Sequence, residues 1–487
     1  MVDLLVSGGL SLSLRSEIKT YLAAGLFVFT AFCLMLTLAY WPVITACYGV
    51  SDDFMFLSQA IAQKEWTAIW RIKLALGRPL LAVLHAYAFS QLHSISDLSC
   101  LRWLGICIVS LLSASCYLAL LAAGWRRLPA FLWSLAAFTL PPFQVYAGWA
   151  TTGFQPLAGV LAGASWYVAD TAFDSARLRS KYGLAVASVV LLVLALFTYQ
   201  PAAMFFWCFA AIALFKANKS MSANKTIGRL AWYSGVFAPG VALSVAVWKA
   251  CLLLMKLPLT PGRSKLADNL FEKATWFVQQ PLTDALNLAR LVPSQRLALA
   301  VSVFTAIGLL LYFRGNTRQR LFQLAIAAAI IPLTYLPNLV VSESWATYRT
   351  KSALTILIAL YALFALHGYL RVLPDSFANL LLVSTLGIVA PVFLYVAATQ
   401  VRDYFTVPQQ LELKLLREHV ASNPAVSETI KHMHMSPREA GLAPLTRYDE
   451  FGILSVAQQQ ATKPLLSLIL RETRRDRVSR GPGDNWR

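Results

Sequence analysis

YLAAGLFVFTAFCLMLTLAYWPVITA, residues 21–46, is followed at once by Cys47-Tyr48-Gly49-Val50-Ser51-Asp52-Asp53. The first part is one uncharged apolar run, longer than the roughly 20 residues a helix needs to cross the hydrocarbon layer. It does not alternate in period two, so it reads as a helix and not as a lipid-facing barrel strand. Similar runs recur to about residue 400 in a 487-residue chain that is 58% hydrophobic and 13% charged, with mean hydropathy +0.59. A soluble globule of that composition lacks the polar groups to cover its surface. The expected fold class is therefore an all-α polytopic membrane protein.

The acid pair stands out because charge is scarce and because it sits where the first helix leaves the bilayer. Arg15 and Lys19 precede the run and place the N-terminus in the cytoplasm, which puts Asp52 and Asp53 outside. The run is too long for a cleaved signal segment, and Ile44-Thr45-Ala46-Cys47 reads as a chance match to a lipoprotein cleavage box at the end of an uncleaved anchor. The formal charge of +19 is carried largely in short connections between apolar runs. The positive-inside rule explains it without a nucleic-acid partner. The seven cysteines have no metal spacing and sit mostly inside apolar runs. Cys47 and Cys100 fall near outer helix ends, where an oxidising compartment would let them pair.

Outward from the acid pair, residues 54–76 mix apolar and polar positions, a pattern of short helices lying in the interface, with Ser51 as an N-cap. Gly77-Arg78-Pro79-Leu80 opens a run, residues 80–92, that is short for a span. If it does not cross, Trp125-Arg126-Arg127 is cytoplasmic, and that is the choice the positive-inside rule favours. Pro141-Pro142-Phe143-Gln144-Val145-Tyr146-Ala147-Gly148-Trp149 then reads as an outer interfacial turn, and Tyr199-Gln200-Pro201 as the tip of an outer hairpin. Residues 256–295 read as a folded outer loop, and Glu343 to Lys351 as a short aromatic outer turn. The walk gives about eleven spans over residues 1–400, with a first outer loop at 47–100. Residues 401–487 are expected to form a small periplasmic helical domain ending in a disordered tail. The arginines from Arg471 to Arg480 lie too far from a span to vote on topology.

Neighbouring carboxylates on a helix diverge by about 100°, so Asp52 and Asp53 are expected to do different jobs. One is a general base for a hydroxyl, and the other orients it or helps hold a divalent cation, the only cofactor the pair suggests. The plain alternative is that both complement the positive end of the following helix. Arg349, Arg78 and Lys351, with Arg263 and Lys265 further along the outer face, are cations suited to a phosphate leaving group. Lipid headgroups are the other use of such rim charges. Tyr146, Trp149, Tyr199, Gln200 and Glu343 are candidates to line a substrate cavity; Asp449 and Glu450 are acids of second rank. His432 and His434 are too few for a zinc site. Lys249, inside a run near its outer end, reads as a snorkelling lysine.

Ser51-Asp52-Asp53, Gly77-Arg78-Pro79-Leu80, Thr198-Tyr199-Gln200 and Tyr348-Arg349-Thr350, in this order of spans, resemble the GT-C superfamily of membrane glycosyltransferases. Within it they are similar to bacterial O-antigen glucosyltransferases of the serotype-converting type. The resemblance covers roughly residues 21–400 and rests more on architecture than on any one motif. It implies transfer of a sugar, a hexose such as glucose, from a polyprenyl-phosphate carrier to a cell-surface glycan such as the O-antigen of lipopolysaccharide. The reaction would run at the outer side of the bacterial inner membrane. It also implies an inverting mechanism with the base at Asp52 or Asp53 and the donor phosphate at Arg349, Arg78 or Lys351. The partners expected are the lipid-linked donor, the glycan acceptor and membrane lipids. A flippase or transporter would place its ionisable groups near mid-membrane. A glycan polymerase would use a large outer loop such as 256–295.

Overall fold

The computed structural model describes residues 12–62, 67–216, 222–258, 265–289, 295–422, 450–451 and 454–480. Arg263, His432, His434 and Asp449 lie outside the described residues. Among those described, all regular secondary structure is helical, and the only strand-like contact is one isolated bridge between Leu266 and Val341.

The first apolar run is α1 (Leu12–Ala39), which begins earlier than the hydropathy pattern predicts. It gives way to a short α2 (Trp41–Thr45) carrying Pro42 in its first turn, where the missing N–H costs nothing. The first outer loop forms α3 (Asp52–Ile61), α4 (Thr67–Ala75) and α5 (Pro79–Ser90). With 12 residues, α5 is about 18 Å long, well short of the roughly 30 Å hydrocarbon layer.

Then come α6 (Leu98–Ala122), α7 (Arg127–Ala137) and α8 (Pro141–Gly148), the last two bent by 65°. Pro141 and Pro142 cause the break, because neither can donate back into α7. Gln144 repairs part of the loss by donating from Nε2 to the Thr139 carbonyl at 2.8 Å. Every residue of α8 is buried. The expectation of an interfacial turn at residues 141–149 is therefore corrected: this segment lies inside the bundle. Proline and aromatic residues suit both places, so composition alone points to the wrong one.

The chain continues through α9 (Leu157–Asp174), α10 (Leu178–Thr198), α11 (Gln200–Ala203), α12 (Phe205–Leu214) and α13 (Ala223–Leu254). All of α12 is buried, as its uniformly apolar sequence requires. The outer loop folds into α14 (Leu270–Phe277) and α15 (Thr283–Leu286), joined by a π turn. It is followed by α16 (Gln295–Tyr312), α17 (Thr317–Leu333) and α18 (Leu336–Val340). A 3-10 turn (Arg349–Lys351) then leads into α19 (Ser352–Leu370), and α20 (Asp375–Gln400) runs through a second π turn into α21 (Val407–Ser422). The last element is α22 (Gln459–Arg480).

Among the described residues five helical units are long and apolar enough to cross a membrane, or six if the bent α7 and α8 make one span. The chain is an all-α membrane protein. One large apolar core joins α1, α6 to α13 and α16 to α20. A second gathers Phe54, Phe56 and Leu57 of α3, Phe89 of α5, Leu413 and Leu416 of α21, and Leu465 and Ile469 of α22. Each such side chain, fully buried, contributes roughly 1.5–3 kcal/mol. The helix from α20 to α21 runs on through residue 400, where a domain boundary was expected, and α22 packs on the helix that begins with the two aspartates.

Candidate functional site

The loop leading to the acid pair is held by Arg102 of α6, which is fully buried. Its guanidinium donates to the carbonyls of Val43, Ala46 and Tyr48 at 2.6, 2.7 and 2.7 Å and lies 4.0 Å over the Tyr48 ring. The Tyr48 hydroxyl donates to the Gly148 carbonyl at 2.7 Å, tying the loop to the end of α8. Ser51 then turns the chain with φ 45° and ψ −105°, a left-handed conformation that favours glycine. Its side chain makes no cap bond, contrary to the N-cap expectation. Its N–H donates instead to Ser455 Oγ at 3.0 Å. Ser455 and Val456 in turn donate their N–H groups to the Glu412 carboxylate of α21.

The two aspartates separate here. Asp53 is fully buried: Oδ2 accepts from the Val50 N–H at 2.9 Å and Oδ1 from the Thr151 N–H at 2.8 Å. Burial pushes its pKa up to about 6, against the pull of those two bonds and of Arg102. Its carboxylate caps α3 and ties it to the segment after α8. Asp52, one helix step away, is only partly covered. Its charge favours the charged forms of Lys73 and Arg349.

Lys73 of α4 has no counterpart in the sequence reading. It is 5% exposed, and its ammonium lies 4.7 Å over the Phe56 ring. Burial pushes its pKa down to about 7; Asp52 and Asp53 oppose that, while Arg78 and Arg349 add to it. Arg78 stacks 4.7 Å over the Tyr199 ring and donates from Nε to Gln200 Oε1 at 3.2 Å. Gln200 Nε2 donates back to the carbonyls of Leu76 and Gly77. Gly77, at φ +72°, makes that close approach, with Gln200 Nε2 only 3.0 Å from where a Cβ would stand. The Gly-Arg-Pro and Tyr-Gln stretches are thus one unit.

Arg349 opens the helical unit that becomes α19. Its guanidinium lies between the faces of Trp149, 4.7 Å away, and Trp345, 5.3 Å away. Glu450 Oε1 sits 2.6 Å from Nε, off the N–H direction, and Oε2 accepts from the Arg349 backbone N–H at 3.2 Å. The Tyr146 hydroxyl donates to the Arg349 carbonyl at 2.9 Å and lies 3.1 Å from Ser352 Oγ. Tyr146 and Trp149, expected to line a cavity, both contact Arg349, the first bonding its carbonyl and the second stacking on its guanidinium. Lys351 is also reassigned: its ammonium is 2.7 Å from Asp284, with side chains 1% and 6% exposed. That pair anchors the outer loop to the start of α19, and a charge so matched is a poor phosphate ligand.

Beside this cluster lies a cavity of about 300 Å³. Arg78, Gln200, Ser244, Asn338, Glu343 and Thr350 give it polar lining; Met204, Phe237, Val245, Trp248 and Leu336 are among the apolar wall. Trp248 is fixed by its Nε1 donating to the Leu74 carbonyl at 2.8 Å. Glu343 lines the cavity, and its backbone carbonyl accepts from Lys273 Nζ at 2.8 Å. Among the described residues no three His, Cys, Asp or Glu side chains converge. A divalent cation would meet the Asp52 carboxylate, since both oxygens of Asp53 already accept backbone N–H bonds.

The arrangement thus offers one partly exposed carboxylate, three basic side chains within its field or each other's, and an apolar chamber next to one of them. Lys73 and Glu450 join from elements 21 and 398 positions along the chain from Asp52. No spacing rule connects residues so far apart. Comparison with protein-family models, curated proteins and solved structures returns no match.

Proposed function

We propose that the chain is a glycosyltransferase of GT-C-like architecture that moves a sugar from a polyprenyl-phosphate carrier to a cell-surface glycan. The observation that carries this reading is the adjacency of Asp52, the basic cluster of Lys73, Arg78 and Arg349, and the apolar cavity. A polyprenyl phosphate has the same two-part chemistry, an anionic head on an isoprenoid chain. In this reading the phosphate lies among Arg78, Lys73 and Arg349 and the chain runs along Trp248, Phe237 and Val245. Asp52 accepts the proton of the acceptor hydroxyl as that oxygen bonds to the anomeric carbon. The bond from that carbon to the phosphate oxygen breaks on the opposite face, and the polyprenyl phosphate leaves with the electron pair, stabilised by the cations. The result is inversion.

The proposal includes about eleven crossings, counting the short and broken helices with the long ones. It also places the N-terminus in the cytoplasm and the site on the outer face of a bacterial inner membrane, with a hexose such as glucose as the sugar and O-antigen as the acceptor. Glycan analysis of cells with and without the protein tests it. Loss of one side-branch sugar, reproduced by Asp52→Asn with normal membrane levels, is the expected result. Loss of the entire chain would point to a flippase or polymerase instead.

A further inference from the structure

We infer that Glu450 is the resident anion of a phosphate subsite at Arg349 and is displaced when the lipid-linked donor binds; the inference rests on the reading above. The carboxylate occupies the place an anionic headgroup would take. One oxygen faces the Arg349 guanidinium and the other accepts from the Arg349 backbone N–H, the first turn of a 22-residue helical unit whose dipole favours negative charge. Trp149 and Trp345 hold the guanidinium plane between them, so its direction persists when the partner changes. Trp345 and Thr350, on either side of Arg349, line the cavity. An anion entering there meets the residues that flank Arg349 in the chain.

The carboxylate is carried on a distant part of the chain. It comes from the C-terminal part of the chain, and its neighbour Phe451 is seated among Tyr348, Tyr404 and Phe405 at centroid distances of 4.9, 6.0 and 5.1 Å. Further along, between Phe451 and the apolar packing of α22, the contacts of Ser455 and Val456 are polar: their N–H groups donate to Glu412, Ser455 Oγ donates to Gln409 Oε1 and accepts from the Ser51 N–H. A bound phosphate and the Glu450 carboxylate cannot share one guanidinium edge without like-charge repulsion. Donor binding therefore releases this contact and loosens the turn that precedes Asp52, so an empty site keeps its strongest cation covered.

The test uses the full chain in nanodiscs and a short-chain polyprenyl monophosphate as probe. Glu450→Gln is expected to bind the probe about tenfold more tightly, the factor that removing a competing contact of about 1.4 kcal/mol gives. Glu450→Asp, which keeps the charge, is expected to stay near the wild type. Combining Glu450→Gln with Arg349→Gln is expected to erase the gain. On the wild type itself, probe addition should speed hydrogen exchange at the Ser455 and Val456 amides, a readout independent of whether any variant folds. Equal affinity in Glu450→Gln and wild type, or unchanged exchange on binding, overturns the inference while leaving the glycosyltransferase reading intact. Failure of the wild type to bind the probe at all removes that reading and the inference with it.

Discussion

Replacing each aspartate by asparagine separates chemistry from scaffold. Asp53→Asn keeps one carbonyl acceptor for Val50 or Thr151 and strands the other N–H, a loss of about 1–3 kcal/mol. It also removes a buried charge. A pKa raised from 3.8 to about 6 means the folded state binds its proton more tightly than the unfolded chain. Stability is then highest below the unfolded pKa and falls as pH rises through the folded one. The whole shift is worth about 3 kcal/mol, of which about 2 falls between pH 4.5 and 7.5. Lost bond and removed charge nearly cancel near neutral pH, so the diagnostic is the slope. In Asp53→Asn this part of the decline is expected to vanish, with melting followed by intrinsic fluorescence in detergent. Asp52→Asn is expected to keep the wild-type slope and lose sugar transfer. A normal slope in Asp53→Asn, or full transfer in Asp52→Asn, would refute the division of labour.

Three further outcomes follow from the packing. Arg78→Gln removes the guanidinium from the Tyr199 face and from Gln200, and is expected to raise the donor KM at least about tenfold, given roughly 1.5–3 kcal/mol for a hydrogen bond to a charged group; transfer kinetics at varied donor check it. Asp284→Ala removes the carboxylate that faces the buried Lys351 ammonium, a cost of up to about 3–5 kcal/mol. A large drop in melting temperature should follow, recovered when Lys351→Met is added. Gly105→Ala drives a Cβ to within 2.6 Å of the Tyr146 carbonyl, where α6 and α8 touch. Both sides are backbone, so a loss of about 1–3 kcal/mol and reduced membrane yield are expected.

The long apolar runs made most helices legible, because a chain in lipid must satisfy its own backbone and has few ways to do so. What composition could not reveal is depth. α8 carries the same proline and aromatic residues an interfacial turn would, yet its burial decides that Tyr146 and Trp149 support Arg349 and do not form a membrane belt. The division between the aspartates was half legible. Helical geometry required them to diverge, but which one points inward depends on Thr151, which arrives from after α8. One local signal was present, since an acid in the first turn of a helix can bond back to an N–H just before it, as Asp53 does to Val50. Glu450 was visible as an acid and invisible as a partner of Arg349.

Lys73 leads to a pH dependence the other residues do not share. Burial pushes its pKa from 10.5 down to about 7, so above neutrality the empty site holds this amine mostly uncharged. A phosphate arriving beside it favours the ammonium, so donor binding takes up a proton. Affinity should therefore be greatest below about pH 7 and weaken as pH rises, by up to tenfold per unit until the pKa of the occupied site is passed. A sugar-linked phosphodiester donor has no proton of its own to lose in this range, so the trend belongs to the protein. Lys73→Gln should bind more weakly and flatten the profile; Lys73→Arg, always charged, should flatten it at higher affinity. A wild-type profile already flat between about pH 6 and 9 would show that the phosphate does not come near Lys73. The donor head would then have to be held at Arg78 and Arg349 alone.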